Sequence, residues 1–186
     1  MRKKLNSETG LTLVEMLAAV VILVLLLGTG LQMAVHTYET MIAQSEVELL
    51  LSSAVDAVSN ELRYAWDVSG TGSSYTYSTS YGKGLCLDLD DGQIVVRNYD
   101  GSAKHLLLST GAYGKVEDAY KKYEIRKIDW TTPIIAFDDS SGDVIFTINL
   151  KVVLADDSSE NIGASTPNGG VTVRCLNPKI EDTTGG

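Results

Sequence analysis

One long proline-free stretch, residues 12–66, constrains the fold more than any other feature of the chain. The first of the three prolines is Pro133, and proline is the residue that most strongly breaks a helix. The first part, residues 11–31, is mainly apolar and contains the unbroken apolar run Met16–Leu27. A helix needs about 17–25 such residues to cross a bilayer. We therefore predict one long helix whose first half, residues 11–31, spans a membrane.

Residues 32–66 carry apolar and acidic residues at helical spacing. The predicted apolar stripe comprises Leu31, Val35, Tyr38, Ile42, Leu49, Leu51, Val55, Val58, Leu62 and Ala65. Most of the acidic residues of this segment lie off the stripe. This pattern is typical of a helix half covered by a globular domain.

Two glycines, Gly28 and Gly30, lie between the two halves of the predicted helix. Each weakens a helix by about 1 kcal/mol relative to alanine. We expect a local softening or kink there. The alternative is that these small residues allow close packing of helices.

The chain changes character after Trp66. Residues 69–84 are rich in Gly, Ser, Thr and Tyr, and we predict a connecting segment there. Seven short apolar or alternating runs follow, at 85–89, 94–99, 105–109, 123–129, 134–137, 144–154 and 171–176. Turns such as Asp100-Gly101 between them favour antiparallel hairpins. The predicted fold class is α+β, with the long N-terminal helix packed against an antiparallel β-sheet domain of residues 67–186.

Charge limits the classes of partner. The net charge of −9 at pH 7 argues against a broad nucleic-acid surface, which needs clustered Lys and Arg. The exception is the cluster Arg2, Lys3 and Lys4 at the start of the chain. Because basic residues beside an apolar segment tend to stay cytoplasmic, we predict that the N-terminus is inside and the rest of the chain is outside.

Two cysteines, Cys86 and Cys175, lie in strand-like runs. A disulfide is chemically permitted if residues 67–186 are extracellular. The alternative is two separate buried thiols, since free cysteine packs as a small hydrophobe. Spacing alone does not decide between them.

No motif points to an enzyme or a cofactor. The two histidines, His36 and His105, are far apart in sequence, and no nucleophile elbow, phosphate loop or zinc motif occurs. We therefore expect a non-enzymatic protein with no catalytic residue, cofactor or metal. Two acidic turns leave calcium as an alternative, because calcium prefers carboxylate ligands, although Asp is also an ordinary turn residue. These turns contain Asp88, Asp90 and Asp91, and Asp138, Asp139 and Asp143.

Three tyrosines, Tyr75, Tyr77 and Tyr81, stand close together in the predicted connecting segment. They are interpreted either as an exposed contact surface, to which tyrosine is well suited, or as a cover for the junction between helix and sheet. The second interpretation is favoured.

One acidic residue, Glu15, precedes the apolar run. It is the fifth residue after Gly10, in the segment Gly10-Leu11-Thr12-Leu13-Val14-Glu15. With the basic residues before it and about twenty mainly apolar residues after it, this segment resembles the class III signal of type IV prepilins and of the pseudopilins of type II secretion and competence systems. The family usually carries phenylalanine where this chain has Leu11. The resemblance covers residues 1 to about 35 and is only architectural beyond them.

The resemblance implies a specific processing route. A prepilin peptidase would remove residues 1–10 by cutting between Gly10 and Leu11, and would methylate the new N-terminus at Leu11. The other implied partners are further pilin subunits, the lipid bilayer and the assembly machinery of the cytoplasmic membrane. The chain would be a single-pass membrane protein that is later extracted into an extracellular filament. The sequence leaves pilus, secretion and competence systems open, and does not separate a major from a minor subunit.

The implied role of Glu15 is to set the register between subunits. A carboxylate in hydrocarbon is expensive and is normally retained for a partner. Cleavage would create an amine at Leu11, and the amine of one subunit would neutralise Glu15 of the next. Because desolvation offsets much of this attraction, the pair would specify the stagger of subunits more than it would stabilise the filament.

Three alternatives remain open from the sequence. An ordinary secretory signal peptide would be cut after Gly30. A simple membrane anchor would carry Glu15 near its cytoplasmic end without an assembly role. A membrane-tethered enzyme would need an active site among residues 67–186.

Overall fold

The computed structural model describes residues 12–90, 92–98, 100–101, 104–107, 123–140, 142–155 and 161–176. The chain divides into two units, Met1–Ile42 and Ala43–Gly186. The described residues form one helix and eleven strands: α1 (Leu13–Arg63), β1 (Trp66–Thr71), β2 (Ser74–Thr79), β3 (Gly82–Asp90), β4 (Gln93–Asn98), β5 (Lys104–Leu106), β6 (Tyr123–Arg126), β7 (Ile135–Asp138), β8 (Ile145–Ile148), β9 (Lys151–Leu154), β10 (Gly163–Ser165) and β11 (Val171–Arg174). The predicted α+β fold with one long N-terminal helix is confirmed.

The helix α1 runs without interruption through Gly28 and Gly30. The predicted softening therefore does not appear as a break in helical structure. Thr29, between the two glycines, donates from its hydroxyl to the carbonyl oxygens of Leu25 at 3.1 Å and Leu26 at 3.2 Å. These contacts keep the threonine side chain bonded to its own helix. A Cβ added at either glycine would meet no other atom within 4 Å, so neither glycine is required by packing in the described chain.

The predicted apolar stripe is only partly correct. The buried residues of α1 are Ala43, Val47, Ala54, Val58, Ser59 and Leu62. By contrast, Leu31, Val35, Tyr38, Ile42 and Leu49 are all exposed. Leu49 lies two residues from buried Val47, which is about 200° around a helix of 3.6 residues per turn. The covered face thus begins at Ala43.

All the strand pairs in the described chain are antiparallel, as predicted. One sheet has five strands in the order β1-β2-β3-β4-β5, and two three-stranded sheets have the orders β10-β9-β6 and β11-β8-β7. The prediction of a connecting segment over residues 69–84 is wrong. The segment contains the end of β1, all of β2 and the start of β3. Its Ser, Thr and Tyr residues suit a half-buried strand as well as a loop.

The core of the second unit is one continuous cluster that draws side chains from α1 and from all three sheets. It is built by alternation along the strands, as in β8, where Phe146 and Ile148 are buried and their neighbours are half-buried. The ring of Phe146 lies 5.5 Å from that of Tyr75 and 5.7 Å from that of Phe137. These spacings fall in the range of favourable aromatic pairs. The core therefore holds the three sheets and residues 43–63 of the helix together.

Candidate functional site

The helix begins at a capping box formed by Thr12 and Glu15. The backbone N–H of Glu15 donates to Thr12 Oγ1 at 3.3 Å. In return, the backbone N–H of Thr12 donates to Glu15 Oε2 at 2.8 Å, and the Thr12 hydroxyl donates to the same oxygen at 2.9 Å. The Thr12 carbonyl accepts the first helical bond from Met16 at 3.1 Å. This reciprocal arrangement satisfies N–H groups that have no partner inside a helix.

The capping box gives Glu15 a local role that the sequence analysis missed. The sequence contains the pattern of a capping box, which is a threonine followed three residues later by glutamate before an apolar run. The box uses one carboxylate oxygen, Oε2. Within the part of the chain that the structure describes, Glu15 Oε1 makes no hydrogen bond. Glu15 can therefore cap its own helix and still accept one further donor.

The apolar segment that follows is long enough to cross a membrane. Its most apolar 18 residues are not buried against any other part of the chain that the structure describes. Large side chains such as Leu17, Leu23 and Leu27 are all more than half exposed. Such a surface in water costs about 25 cal/mol per Å² of apolar area. By length and composition, this helix qualifies as a membrane anchor or a signal sequence.

The residues predicted for processing lie outside the described part of the chain. They are Gly10 and Leu11, together with the remainder of the leader at residues 1–9. Cleavage between Gly10 and Leu11 and methylation of Leu11 therefore stay predictions. The first described residue is Thr12, which is also the N-cap of the helix.

Two glutamates on the covered half of α1 bind tyrosine hydroxyls from the sheets. Tyr77 and Tyr81 both donate to Glu61 Oε1, Tyr77 at 3.1 Å. Tyr123, at the start of β6, donates to Glu46 Oε2. These glutamates lie off the predicted apolar stripe, and no local sequence pattern indicates their three tyrosine partners, which are distant in sequence.

The tyrosine cluster belongs to the junction of helix and sheet. Tyr75 and Tyr77 are buried, and their rings stack at 6.3 Å. Tyr81 remains about half exposed. Burial raises the pKa of Tyr77 far above its ordinary value, and the neighbouring Glu61 carboxylate raises it further. The structure thus agrees with the second interpretation of these residues for Tyr75 and Tyr77.

Cys86 and Cys175 are not joined by a disulfide in the structure. Cys175 is in the core, where its thiol donates to the carbonyl of Ala65 at 2.7 Å. Cys86 alternates along β3 with buried Leu85 and Leu87. Because successive side chains of a strand point to opposite faces, Cys86 lies on the outer face of the sheet and is directed away from the core that holds Cys175.

The acidic turns are engaged with arginines. Arg97 Nε lies 3.4 Å from Asp88 and its Nη2 lies 2.8 Å from Asp90. In the second turn, Arg174 Nη2 lies 2.6 Å from Asp143. Among the residues that the structure describes, no group of three or more His, Cys, Asp or Glu side chains is arranged to hold a metal ion. Asp91, named in the calcium alternative, lies outside those residues.

The two histidines lie on different elements. His36 is an exposed residue of α1, and His105 belongs to β5, where it pairs with Val96. The expectation of a non-enzymatic protein rests on the sequence motifs and stays a prediction.

Comparisons with protein-family models, with curated proteins and with solved structures found no match to this chain.

Proposed function

We propose that this chain is the structural subunit of a type IV pilus or of a related pseudopilus, assembled through its N-terminal helix. The observation that carries the proposal is the Thr12–Glu15 capping box, followed at once by an apolar helix that no described residue covers. The N-cap Thr12 directly follows Leu11, the residue before which the resemblance implies cleavage, and the helix begins at Leu13. Processing at Leu11 would thus produce a new N-terminus directly ahead of a preformed helix cap.

The geometry at Glu15 supports a contact between subunits. The box occupies Oε2, so the amine of a neighbouring Leu11 would bind Oε1 without opening the cap. A charge-assisted hydrogen bond of this kind is stronger than a neutral one. In hydrocarbon it would also satisfy a charge that is otherwise costly. The same carboxylate would then define both where the helix starts and how far the next subunit is displaced along it.

The exposed apolar helix supports the storage and packing steps of the proposal. Residues 13–31 would lie in the cytoplasmic membrane before assembly, with the basic leader inside. In the filament, the same side chains would be buried against helices of neighbouring subunits. The unit Ala43–Gly186, with its own core, would face outward. We propose the prepilin peptidase and the assembly machinery of the membrane as the other partners.

N-terminal sequencing of the exported or membrane-stored protein tests the proposal. A mature chain that begins with methylated Leu11 is expected. A start at Leu31 would identify an ordinary signal peptide, and a start at Met1 would leave a simple anchor. Either result would contradict the proposal.

Substitution of Gly10 by a bulkier residue separates processing from folding. We expect the precursor to accumulate with the unit Ala43–Gly186 still folded, since Gly10 is remote in sequence from its core. Glu15→Ala should instead be processed normally and fail to assemble. A normal number of filaments from the Glu15→Ala strain would contradict the proposed contact between Glu15 and the Leu11 amine of the next subunit.

A further inference from the structure

Trp130 is the most exposed of the large apolar side chains that the structure describes outside the N-terminal segment. It is 91% exposed in the loop between β6 and β7. A tryptophan offers about 150–250 Å² of mostly apolar surface. Tryptophan is also among the residues most enriched at the energetic centres of protein interfaces. A side chain of this kind, fully in solvent within a folded domain, is suited to bury itself in a partner.

The loop that carries Trp130 is held rigidly by Asp129. Its Oδ1 accepts the N–H of Thr131 at 2.8 Å and the N–H of Thr132 at 2.7 Å. Both threonine hydroxyls also donate to the same carboxylate, at 2.7 and 2.8 Å. The far side of the loop is fixed by Asn149, whose Nδ2 donates to the carbonyl of Pro133 at 3.2 Å. Because the loop is ordered before any contact forms, little further ordering entropy is lost on binding.

A groove lined by residues of α1, β10 and β11 has a complementary character. It has a volume of about 480 Å³, within the range of roughly 300–1,000 Å³ in which proteins hold small ligands. Its apolar lining is half-buried, and two exposed carboxylates lie at its rim. The residues are Leu51, Val55, Ala164 and Val171 for the lining, and Glu48 and Asp56 for the rim.

The hydrogen-bonding groups of the loop and the groove also match. The indole N–H of tryptophan is a donor only, and the rim of the groove offers carboxylate acceptors. Lys127, three residues before Trp130, is exposed and makes no ion pair with the described residues. No Lys or Arg is among the described residues that line the groove. Cleavage after Gly10 would remove Arg2, Lys3, Lys4 and Glu8 and take the net charge from −9 to −11. Copies with this charge repel each other in general, so a contact between them needs local complementarity of this kind.

We propose that Trp130 of one subunit inserts into this groove of a second copy of the chain, with Lys127 facing Glu48 or Asp56. The inference rests on the proposed function. The loop and the groove lie on different elements, so each copy can donate a tryptophan to one neighbour and receive one from another. Such a heterologous contact repeats along a filament when it does not close into a ring. It would join the outer domains of subunits whose helices pack in the core.

Cross-linking between two singly substituted chains tests this contact. One full-length copy carries Thr131→Cys, an exposed position beside an intact Trp130, and the other carries Ser52→Cys in the groove. Both copies carry Cys86→Ser, so that only buried Cys175 remains of the native thiols. A short bis-maleimide reagent, applied to membranes or filaments, should link the two copies. A matched pair with Tyr64→Cys in place of Thr131→Cys should not be linked, because Tyr64 is also exposed but lies just beyond α1, outside the loop that carries Trp130. Equal yields from the two pairs would overturn the proposal.

Charge reversal gives an independent test that the fold should tolerate, since Lys127 and Asp56 are both exposed. Lys127→Glu is expected to lower the cross-link yield, and Lys127→Glu combined with Asp56→Lys in the partner should restore it. Trp130→Ala should reduce the number of filaments on the order of tenfold, the scale expected for an interface anchor. Normal assembly by Trp130→Ala would reject the contact between copies. The same holds if this variant assembles normally and loses only binding to lipid vesicles.

The outcome is distinguishable from failure of the proposed function. If wild-type chains form filaments but the two copies are not linked above the control, this contact is wrong and the function stands. If the wild type forms no filaments, the function is wrong, and the cross-link in membranes decides the contact by itself.

Discussion

The hydroxyl of Tyr77 on β2 donates a hydrogen bond of 3.1 Å to Glu61 Oε1 on α1. Tyr81, just after the same strand, donates to the same oxygen. Tyr77 is completely buried, whereas Glu61 is half-buried. The last turn of the helix is therefore joined to the first hairpin of the sheet by hydrogen bonds to a charged group. Such bonds contribute more to stability than neutral ones.

Removing one hydroxyl tests this junction. We expect Tyr77→Phe to lower the free energy of unfolding by about 1.5–3 kcal/mol, since a hydrogen bond to a charged acceptor is lost. Urea denaturation of the detergent-solubilised chain measures the change. Tyr75→Phe is the matched control, because the Tyr75 hydroxyl is buried near the Leu87 backbone without a hydrogen bond of ordinary geometry. Removing the Tyr75 hydroxyl should leave the free energy of unfolding almost unchanged or raise it. If both variants lose the same free energy of unfolding, the hydrogen bond to Glu61 is not what stabilises this junction.

Because its pKa is raised, Tyr77 should make the folded chain less stable at alkaline pH. Burial, and then the Glu61 carboxylate, raise the pKa of Tyr77 above the ordinary value of 10.0. Above pH 10 the unfolded chain loses this proton while the folded chain keeps it. Stability is thus fully present below pH 10 and falls as the pH rises, by up to about 1.4 kcal/mol per pH unit for this group. Unfolding measured between about pH 8 and 11 should show a shallower decline for Tyr77→Phe than for the wild type.

The sequence predicted the helix well because two independent signals coincide there. The absence of proline and the helical spacing of apolar residues together predict residues 12–66, and α1 covers Leu13–Arg63. The predicted stripe was wrong for the residues before Ala43 and for Leu49, which are exposed. The spacing shows that a face is apolar without showing what covers it. The antiparallel character of the strands followed from the turn residues. The strands β1 and β2 were missed, since Ser, Thr and Gly predict loops on local propensity alone.

The candidate site was predictable only where it is local in sequence. The capping box of Thr12 and Glu15 spans four residues, and its pattern could have been recognised. The partners of Glu46 and Glu61 lie on strands that no local pattern connects to the helix. The separation of Cys86 from Cys175 also depends on which face of β3 points inward, and this is fixed by the assembled core.

The two thiols should differ greatly in reactivity. Cys86 is half-buried on the outer face of β3, and burial raises the pKa of its thiol, as does nearby Asp88. We expect it to react with a maleimide slowly but measurably in the folded chain. Cys175 is buried and bonded to the Ala65 carbonyl, so it should react only when the domain unfolds. Mass spectrometry of partly labelled protein measures both rates. Rapid labelling of Cys175, or a disulfide formed without denaturant, would contradict this assignment.

The turn around Trp130 should resist acid well below the ordinary range of aspartate. The hydroxyl and N–H groups of Thr131 and Thr132 lower the pKa of Asp129 from 3.8 to about 2. A lowered pKa stabilises the folded turn above the unfolded value, and this contribution is lost as the pH falls through the folded value. In a Trp66→Phe background, the fluorescence of Trp130 should stay constant above about pH 4 and change as the pH approaches 2. Asp129→Asn should remove this transition, and a transition at the same pH in that variant would assign it elsewhere.

Glutamine at position 15 separates the two roles of Glu15. A capping box accepts either Glu or Gln at this position, so Glu15→Gln keeps an oxygen for the Thr12 N–H but cannot neutralise an amine. We expect Glu15→Gln to abolish filaments as fully as Glu15→Ala, with processing intact. Thr12→Ala removes the N-cap at a cost of about 1 kcal/mol, and should reduce filaments only modestly. The measurements are filament yield and the N-terminal sequence of the stored subunit. Normal assembly by Glu15→Gln, with failure of Thr12→Ala, would show that Glu15 acts only as a helix cap.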